Sequence, residues 1–156
     1  MYIVKKIGVT DIKGLLAVSY ILYKCGKDMA HKLDLHHWNN PYIKSFVIVC
    51  ICSLKNSVYL VSNEKEKVAT FQVRQQGEKL YFEKLATSPS DYGKGIGSFC
   101  MNQIEEIALK KGCKKVCMEV YSLSQHAIKF YEYHGYITNK VESTLKYKII
   151  KMEKNL

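Results

Sequence analysis

The spacing of apolar positions changes part-way along the chain and separates a helical part from a part rich in strands. At the start, a β-branched run over residues 2–7 predicts a strand, and Asp11 is an N-cap candidate for a helix that Gly26 is expected to end. Residues 28–42 show no clear period and are interpreted as a loop or short helix. A proline that follows an asparagine indicates a second helix over residues 41–54.

Three β-rich runs follow, and they occupy residues 58–62, 67–74 and 79–87. The connectors between them are short and polar, which predicts an antiparallel meander. A glycine-rich segment then leads into an amphipathic helix that Gly112 is expected to end, with Glu105 on its water-facing side.

The last part of the chain predicts a strand at residues 114–121, a helix at 125–134 and two strands within 136–151. The element order is therefore β-α-α-β-β-β-α-β-α-β-β. This order favours an α/β fold with a mixed sheet, helices on both faces and one domain over residues 1–156. The C-terminal strand through Lys151 is expected to be an exposed edge.

Composition narrows the class of protein. The chain has 156 residues, of which 47% are hydrophobic and 24% charged, as in ordinary globular domains. The longest nearly apolar run, residues 46–54, is too short to cross a bilayer, and no apolar segment follows the N-terminal lysines. We therefore expect a cytoplasmic protein without a membrane partner. The six cysteines are expected to be free and mostly buried, and their spacings predict no metal site.

The formal charge of +10 favours an anionic partner. A lysine-rich RNA-binding module is one interpretation, because released counterions give basic proteins affinity for phosphates. However, the basic residues are lysines apart from Arg74, and they are spread along the chain in ones and twos. No nucleic acid is therefore expected, and a modest electropositive site for an anionic ligand fits better.

The glycine-rich segment, residues 93–98, is a candidate for that site. It lies between a strand and a helix start, where backbone N–H groups and the positive end of a helix dipole surround one concavity. Glycines at 93, 95 and 97 let the backbone approach a phosphate closely. The spacing matches neither the Rossmann fingerprint nor the P-loop, so a purely structural glycine turn is the alternative.

Two longer segments resemble one known family. Residues 81–98, YFEKLATSPSDYGKGIGS, are similar to motif A of the GNAT family of N-acetyltransferases, whose signature is [QR]-x-x-G-x-[GA]. Residues 119–136, EVYSLSQHAIKFYEYHGY, are similar to its motif B, N-x-x-A-x-x-x-Y-x-x-x-G-[FY]. Two positions depart from these motifs, since Tyr92 stands at the [QR] position and Ser124 at the asparagine position.

The resemblance implies a GNAT-like acyltransferase fold and acetyl-CoA as cofactor. N–H groups of the loop would bind the pyrophosphate of coenzyme A. The strand before the loop, at residues 85–87, would pair with the amides of the pantetheine arm where that strand splays from the strand at residues 114–121. The implied cofactor-binding residues are Leu85, Ala86, Thr87, Tyr92, Gly93, Lys94, Gly95, Ile96, Gly97, Ser98 and Ser124. The departures put the side-chain contacts of Tyr92 and Ser124 in question, but leave the backbone contacts intact.

The resemblance also implies a reaction, the direct transfer of an acetyl group to an amine through a tetrahedral intermediate. Tyr131 matches the motif B tyrosine and would act as the general acid, with a packed core aromatic as its alternative role. Glu83, on the strand before the loop, is the candidate base, and an exposed ion-paired glutamate is the alternative. Glu119 is a second candidate for the base and for acceptor binding.

The region between the first two helices would shape the acceptor pocket. Trp38 is a candidate acceptor-binding residue or a core residue, and His36 or His37 is a further candidate base. The resemblance leaves the amine acceptor, small molecule or peptide, unidentified, and a homodimer is possible. A CoA-binding sensor without turnover is the other function class that these residues support.

Overall fold

The computed structural model describes all 156 residues. Its seven strands are β1 (Ile3–Ile7), β2 (Ser57–Ser62), β3 (Lys67–Gln76), β4 (Lys79–Thr87), β5 (Lys115–Tyr121), β6 (Ile137–Ser143) and β7 (Lys148–Asn155). Its four helices are α1 (Ile12–Leu33), α2 (Tyr42–Ser53), α3 (Ile96–Lys110) and α4 (Gln125–Tyr133), and a 3-10 turn occupies Pro89–Asp91. The predicted element order and the α/β class are confirmed.

The prediction that α1 ends at Gly26 is wrong. The helix continues for two further turns to Leu33 and ends at Asp34, whose left-handed backbone (φ 54°) lets its N–H donate to the Met29 carbonyl. Gly26 lies inside the helix because the chain needs a residue without a side chain there. A Cβ on Gly26 would lie 2.1 Å from the carbonyl oxygen of Trp38.

The strands hydrogen-bond in the order β1-β2-β3-β4-β5-β7-β6. β1 and β3 flank β2 with antiparallel pairing, and a two-residue turn with Gly77 at φ 58° connects β3 to β4. β4 and β5 pair in parallel, and β7 pairs antiparallel with both β5 and β6. The sheet is therefore mixed. The prediction of an exposed C-terminal strand is wrong, since β7 lies between β5 and β6 and the edge strands are β1 and β6.

The chain divides into two compact units. The first unit comprises Met1–Arg74 and Lys84–Cys100, and the second comprises Gln75–Glu83 and Met101–Leu156. The core of the first unit is formed by α1, α2 and the adjoining strands, and its buried residues are Ile7, Leu15, Val18, Ile21, Leu22, Cys25, Val49, Val58, Leu60 and Ala86.

The second unit buries an aromatic group beside its aliphatic residues. Phe82, Tyr131 and Tyr136 pack edge to face, with ring centroids 5.8 to 6.2 Å apart. Glu105, expected to face water, is instead half-buried and accepts hydrogen bonds of 2.8 and 3.0 Å from Lys154 Nζ. That contact joins residues far apart in the sequence, so helical periodicity alone missed it.

The six cysteines are free, and four of them are buried. No helix is long and apolar enough to span a membrane.

Candidate functional site

The glycine-rich loop lies at the start of α3 in the first unit. Gly93 and Gly95 have φ angles of 77° and 76°, which other residues rarely adopt. A Cβ on either glycine would meet no atom within 4 Å. The Phe99 N–H donates to the Gly95 carbonyl at 3.0 Å, so Gly95 lies where α3 begins. The loop thus combines open space with N–H groups at a positive helix end.

Helix α1 holds the segment that precedes this loop. Lys24 Nζ donates to Ser88 Oγ at 2.9 Å, and Cys25 Sγ donates to the Thr87 carbonyl at 2.9 Å. Burial raises the pKa of the Cys25 thiol to about 11, so the thiol keeps its proton at neutral pH. Neither α1 residue is recognisable in the sequence, because each contact spans more than sixty residues and leaves no local pattern.

Tyr92, immediately before the glycine-rich segment, also contacts α1. Its side chain is 47% exposed but reaches Cys25, and burial of its hydroxyl raises the pKa of that group. Lys32 Nζ lies 5.9 Å from the centre of its ring, a cation–π distance. The residue that departs from the family signature is therefore fixed by contacts to the first helix.

Asp91 lies immediately before Tyr92 and is buried. It accepts hydrogen bonds from Lys94 Nζ at 2.8 Å and from Ser90 Oγ at 3.1 Å, and the Lys94 bond is the main reason that its pKa is lowered. This ion pair joins the residues on either side of Tyr92 and Gly93. Lys24, Lys32 and Lys94 lie around this segment, and the last two are paired with Asp28 and Asp91.

Strand β4 carries the other predicted cofactor contacts. Its parallel ladder with β5 covers Lys79 to Tyr81, and Lys84 then adopts a left-handed φ of 52° inside the strand. Leu85 and Thr87 are half-buried, whereas Ala86 is buried in the first core. The Thr87 carbonyl already accepts the Cys25 thiol, so its N–H and the groups of Leu85 remain the better candidates for pairing with an extended ligand.

Tyr131, the candidate acid, lies on α4 in the second unit. Its ring packs against Phe82, Phe130 and Tyr136, and burial raises the pKa of its hydroxyl. The hydroxyl is therefore protonated across the physiological range, as a proton donor must be. The same packing is what a purely structural aromatic would show.

Ser124 lies before α4, at the motif B asparagine position. It is 3% exposed, and its Oγ has no hydrogen-bond partner in the chain. Although Ser124 is the N-cap residue, its side chain makes no cap hydrogen bond. A buried hydroxyl without a partner costs free energy, so this one is available to an external group.

The candidate bases and acceptor residues lie in different surroundings. Glu83 is exposed, and Glu119 is exposed and lies 3.6 Å from Lys151 Nζ. In the first unit, Trp38 packs against the core, and His36 Nε2 lies 2.8 Å from the Asp34 carboxylate. The His37 ring lies tilted beside that of Trp38, with the ring centroids 5.9 Å apart. Glu83 and Glu119 belong to the second unit, and the tryptophan and histidines to the first.

Comparison with known proteins agrees with this geometry. Residues 28–136 match the acetyltransferase (GNAT) family. The chain is 30% identical over 59 residues to thialysine N-epsilon-acetyltransferase of Mus musculus, a match that covers 38% of this chain and 35% of that protein. The chain thus spans about a third of the length of the curated relatives it matches.

Solved structures agree in fold over the full length. One is a GNAT-family acetyltransferase of Desulfovibrio desulfuricans, with a TM-score of 0.78 at 11% identity and 99% of both chains covered. Another is the PaiA N-acetyltransferase of Thermoplasma acidophilum in complex with coenzyme A, with a TM-score of 0.72 at 18% identity, covering 100% of this chain and 99% of that one.

This chain belongs to the acetyltransferase (GNAT) family, because the family match covers well over half of its residues. The resemblance drawn from the two motifs is thereby confirmed, despite the tyrosine and serine at two signature positions.

Proposed function

We propose that this protein is an N-acetyltransferase that transfers an acetyl group from acetyl-CoA to a primary amine. The observation that carries the proposal is the glycine loop at the start of α3, where two glycines in left-handed conformations leave space that a Cβ would fill. Membership of the family supports the same function.

The loop residues fit the anionic part of coenzyme A. The N–H groups of residues 93–98 would hold its pyrophosphate. Lys24 adds a positive charge near the segment before the loop, whereas Lys32 and Lys94 are paired with Asp28 and Asp91. The Leu85 backbone and the unpartnered Ser124 hydroxyl are further groups for polar contacts with the cofactor. When bound, acetyl-CoA supplies an activated thioester.

The chain's own residues then have two tasks in the transfer. One group takes a proton from the ammonium form of the acceptor, and Glu83 is the proposed base, with Glu119 as the second candidate. Tyr131 is the proposed acid, which donates its phenolic proton to the departing sulfur. Its raised pKa keeps that proton in place until it is needed.

The acceptor is proposed as a primary amine, because the relative from Mus musculus is named for acetylation at an N-epsilon group. Thialysine, lysine and short peptides are therefore the first compounds to screen. The six free cysteines support a reducing compartment such as the cytoplasm.

Calorimetric titration with coenzyme A, followed by a thiol-release assay with acetyl-CoA and the amine panel, tests the proposal. Wild type should bind coenzyme A and release thiol only when an amine is present. Tyr131→Phe should keep its affinity for coenzyme A and lose about a hundredfold in kcat. Tyr136→Phe is the matched control, since Tyr136 lies in the same aromatic group and has no proposed catalytic part.

The assay also separates the second candidate function. A CoA-binding sensor, suggested by Tyr92 and Ser124 at signature positions, would bind coenzyme A without releasing thiol for any amine. Equal kcat values for Tyr131→Phe and Tyr136→Phe would remove Tyr131 as the acid. Absence of coenzyme A binding would contradict the proposal as a whole.

A further inference from the structure

Helix α2 exposes a row of large aliphatic side chains. Ile43, Val47, Ile51 and Leu54 are 77%, 48%, 55% and 75% exposed, and their spacing places them along one face. Only Ser45 and Val49 of this helix are buried, and Lys44 is its one charged residue. A helix that is apolar on most sides normally has both of its faces covered. The outer face of α2 thus resembles an interaction surface.

Helix α1 extends this surface. Ile12, Leu16 and Tyr20 are exposed and follow one another at intervals of four residues. Tyr42, at the start of α2, donates a hydrogen bond of 3.1 Å to the Leu16 carbonyl and packs edge-on against Tyr20 at 6.0 Å. The two rows therefore meet around Tyr42. We call them together the α1–α2 outer face, consisting of Ile12, Leu16, Tyr20, Tyr42, Ile43, Val47, Ile51 and Leu54.

Lysines accompany this face. The two helices contain five lysines and a single acid, Asp28, which is already paired with Lys32 at 2.8 Å. Lys24 and Lys27 lie over the rings of Tyr20 and Tyr23, at 4.9 and 5.7 Å. Lys44 and Lys55 are exposed at the two ends of the α2 row. The surface is therefore apolar along its rows, aromatic where they meet and positively charged around them.

We propose that the α1–α2 outer face binds an anionic lipid surface. Aliphatic side chains would enter the acyl boundary, tyrosines would lie at headgroup level, and lysines would contact lipid phosphates, as in helices that lie in the interface plane. A second copy of this chain fits less well. Pairing two such faces would bring lysines against lysines, and α2 offers no acid to compensate.

This inference goes beyond the acetyl transfer and alters one expectation, since the sequence indicated no membrane partner. Neither the apolar run of α2 nor the lysine total of the chain distinguishes a core helix from a surface helix. The exposure of α2 in the folded chain does.

Vesicle flotation tests the proposal with the full chain. Wild type should bind vesicles that contain phosphatidylglycerol and should not bind vesicles of phosphatidylcholine alone. Ile43→Ser/Ile51→Ser should lower the partition coefficient at least about tenfold, because less apolar area is buried. Lys44→Gln/Lys55→Gln should lower it about fivefold for each lysine removed. Ile137→Ser/Leu145→Ser is the matched control, since both residues are exposed aliphatics that belong to neither α1 nor α2.

Circular dichroism first establishes that each variant is folded, and sedimentation velocity gives the oligomeric state. Failure of wild type to bind anionic vesicles would overturn the proposal. So would equal binding by Ile43→Ser/Ile51→Ser and the control. A concentration-dependent dimer that Ile43→Ser/Ile51→Ser abolishes, without vesicle binding, would assign the face to a second copy instead. Vesicle binding is measured without acetyl-CoA, so neither result depends on the acetyltransferase activity.

Discussion

The first unit uses glycine for two opposite purposes. Gly26, inside α1, makes room for the backbone of Trp38, whose carbonyl oxygen would lie 2.1 Å from a Cβ. Gly93 and Gly95, in the loop before α3, have positive φ angles and no atom within 4 Å of the Cβ position. The space that a Gly26 side chain would occupy is filled by the Trp38 backbone, whereas the corresponding space at Gly93 and Gly95 is open. Packing explains the first, and a ligand is the proposed explanation of the second.

The comparison distinguishes stability from binding. A substitution at the packed glycine should damage the fold and affect ligands only through it. A substitution at an open glycine should cost little more than backbone strain, yet change the affinity for any group that occupies the space.

The largest effect is expected from Gly26→Ala. The added methyl group would collide with a backbone carbonyl, which cannot rotate away, so we expect a loss of about 3 kcal/mol in the free energy of unfolding. Gly14→Ala is the contrast, because the atoms near its Cβ belong to the side chains of Ile7 and Asp11, at 2.8 and 2.9 Å. Urea denaturation measures both. A Gly26→Ala variant as stable as Gly14→Ala would show that the packing argument is wrong.

Gly95→Ala tests the open glycine position in the loop before α3. Its φ of 76° should cost about 1 kcal/mol of stability, while the dissociation constant for coenzyme A should rise about tenfold, because the methyl group enters the open space. Gly77→Ala is the matched control, with a φ of 58°, an equally open Cβ position and a place in the β3–β4 turn. Equal affinities of the two variants in calorimetry would make the loop glycines merely structural.

Lys24→Met should have a smaller effect. The variant loses the 2.9 Å hydrogen bond to Ser88, so the segment before the loop is less well ordered and coenzyme A binding should weaken about threefold. Lys27→Met is the control, because Lys27 contacts Tyr23 and has the same charge. A similar weakening in both variants would indicate general electrostatic attraction instead of loop positioning.

The smallest effect is expected from Asp91→Asn, and it should depend on pH. The hydrogen bond from Lys94 lowers the pKa of Asp91 in the folded state. The charged carboxylate therefore stabilises the fold at pH values above the unfolded-state pKa of about 4, and this contribution disappears as the pH falls through the lowered pKa. Asp91→Asn should therefore lose about 1 kcal/mol or less at neutral pH, and the difference from wild type should shrink in acid. Urea denaturation across this range measures the difference, and a pH-independent gap would contradict the assignment.

The sequence predicted those elements whose limits depend on local pattern. Strand β4 was placed at its observed limits, because apolar alternation and the following proline define it. α2 was placed within a residue of its limits for similar reasons. α1 was predicted too short, since a glycine that accommodates a distant carbonyl looks the same in the sequence as one that ends a helix.

The candidate site divides in the same way. The glycine loop and Tyr131 were identified from motif spacing, whereas Lys24 and Cys25 were not, since their contacts with residues 87 and 88 depend on the folded chain. Nor does any pattern around Lys84 reveal its left-handed conformation inside a strand. The sequence identified the residues that resemble other proteins, and the structure added those that support them in this one.

The division of the chain into two units also bears on how it emerges from a ribosome. The ribosome has made every residue of the first unit, including the glycine loop, once it has added Cys100 to the growing chain. The second unit requires Gln75–Glu83, which are made early, together with a region that ends at Leu156. The N-terminal half of β4 therefore cannot pair with β5 until Lys115–Tyr121 have been made, whereas the contact of Thr87 with Cys25 in α1 needs only residues made earlier. One strand is thus completed at two different times.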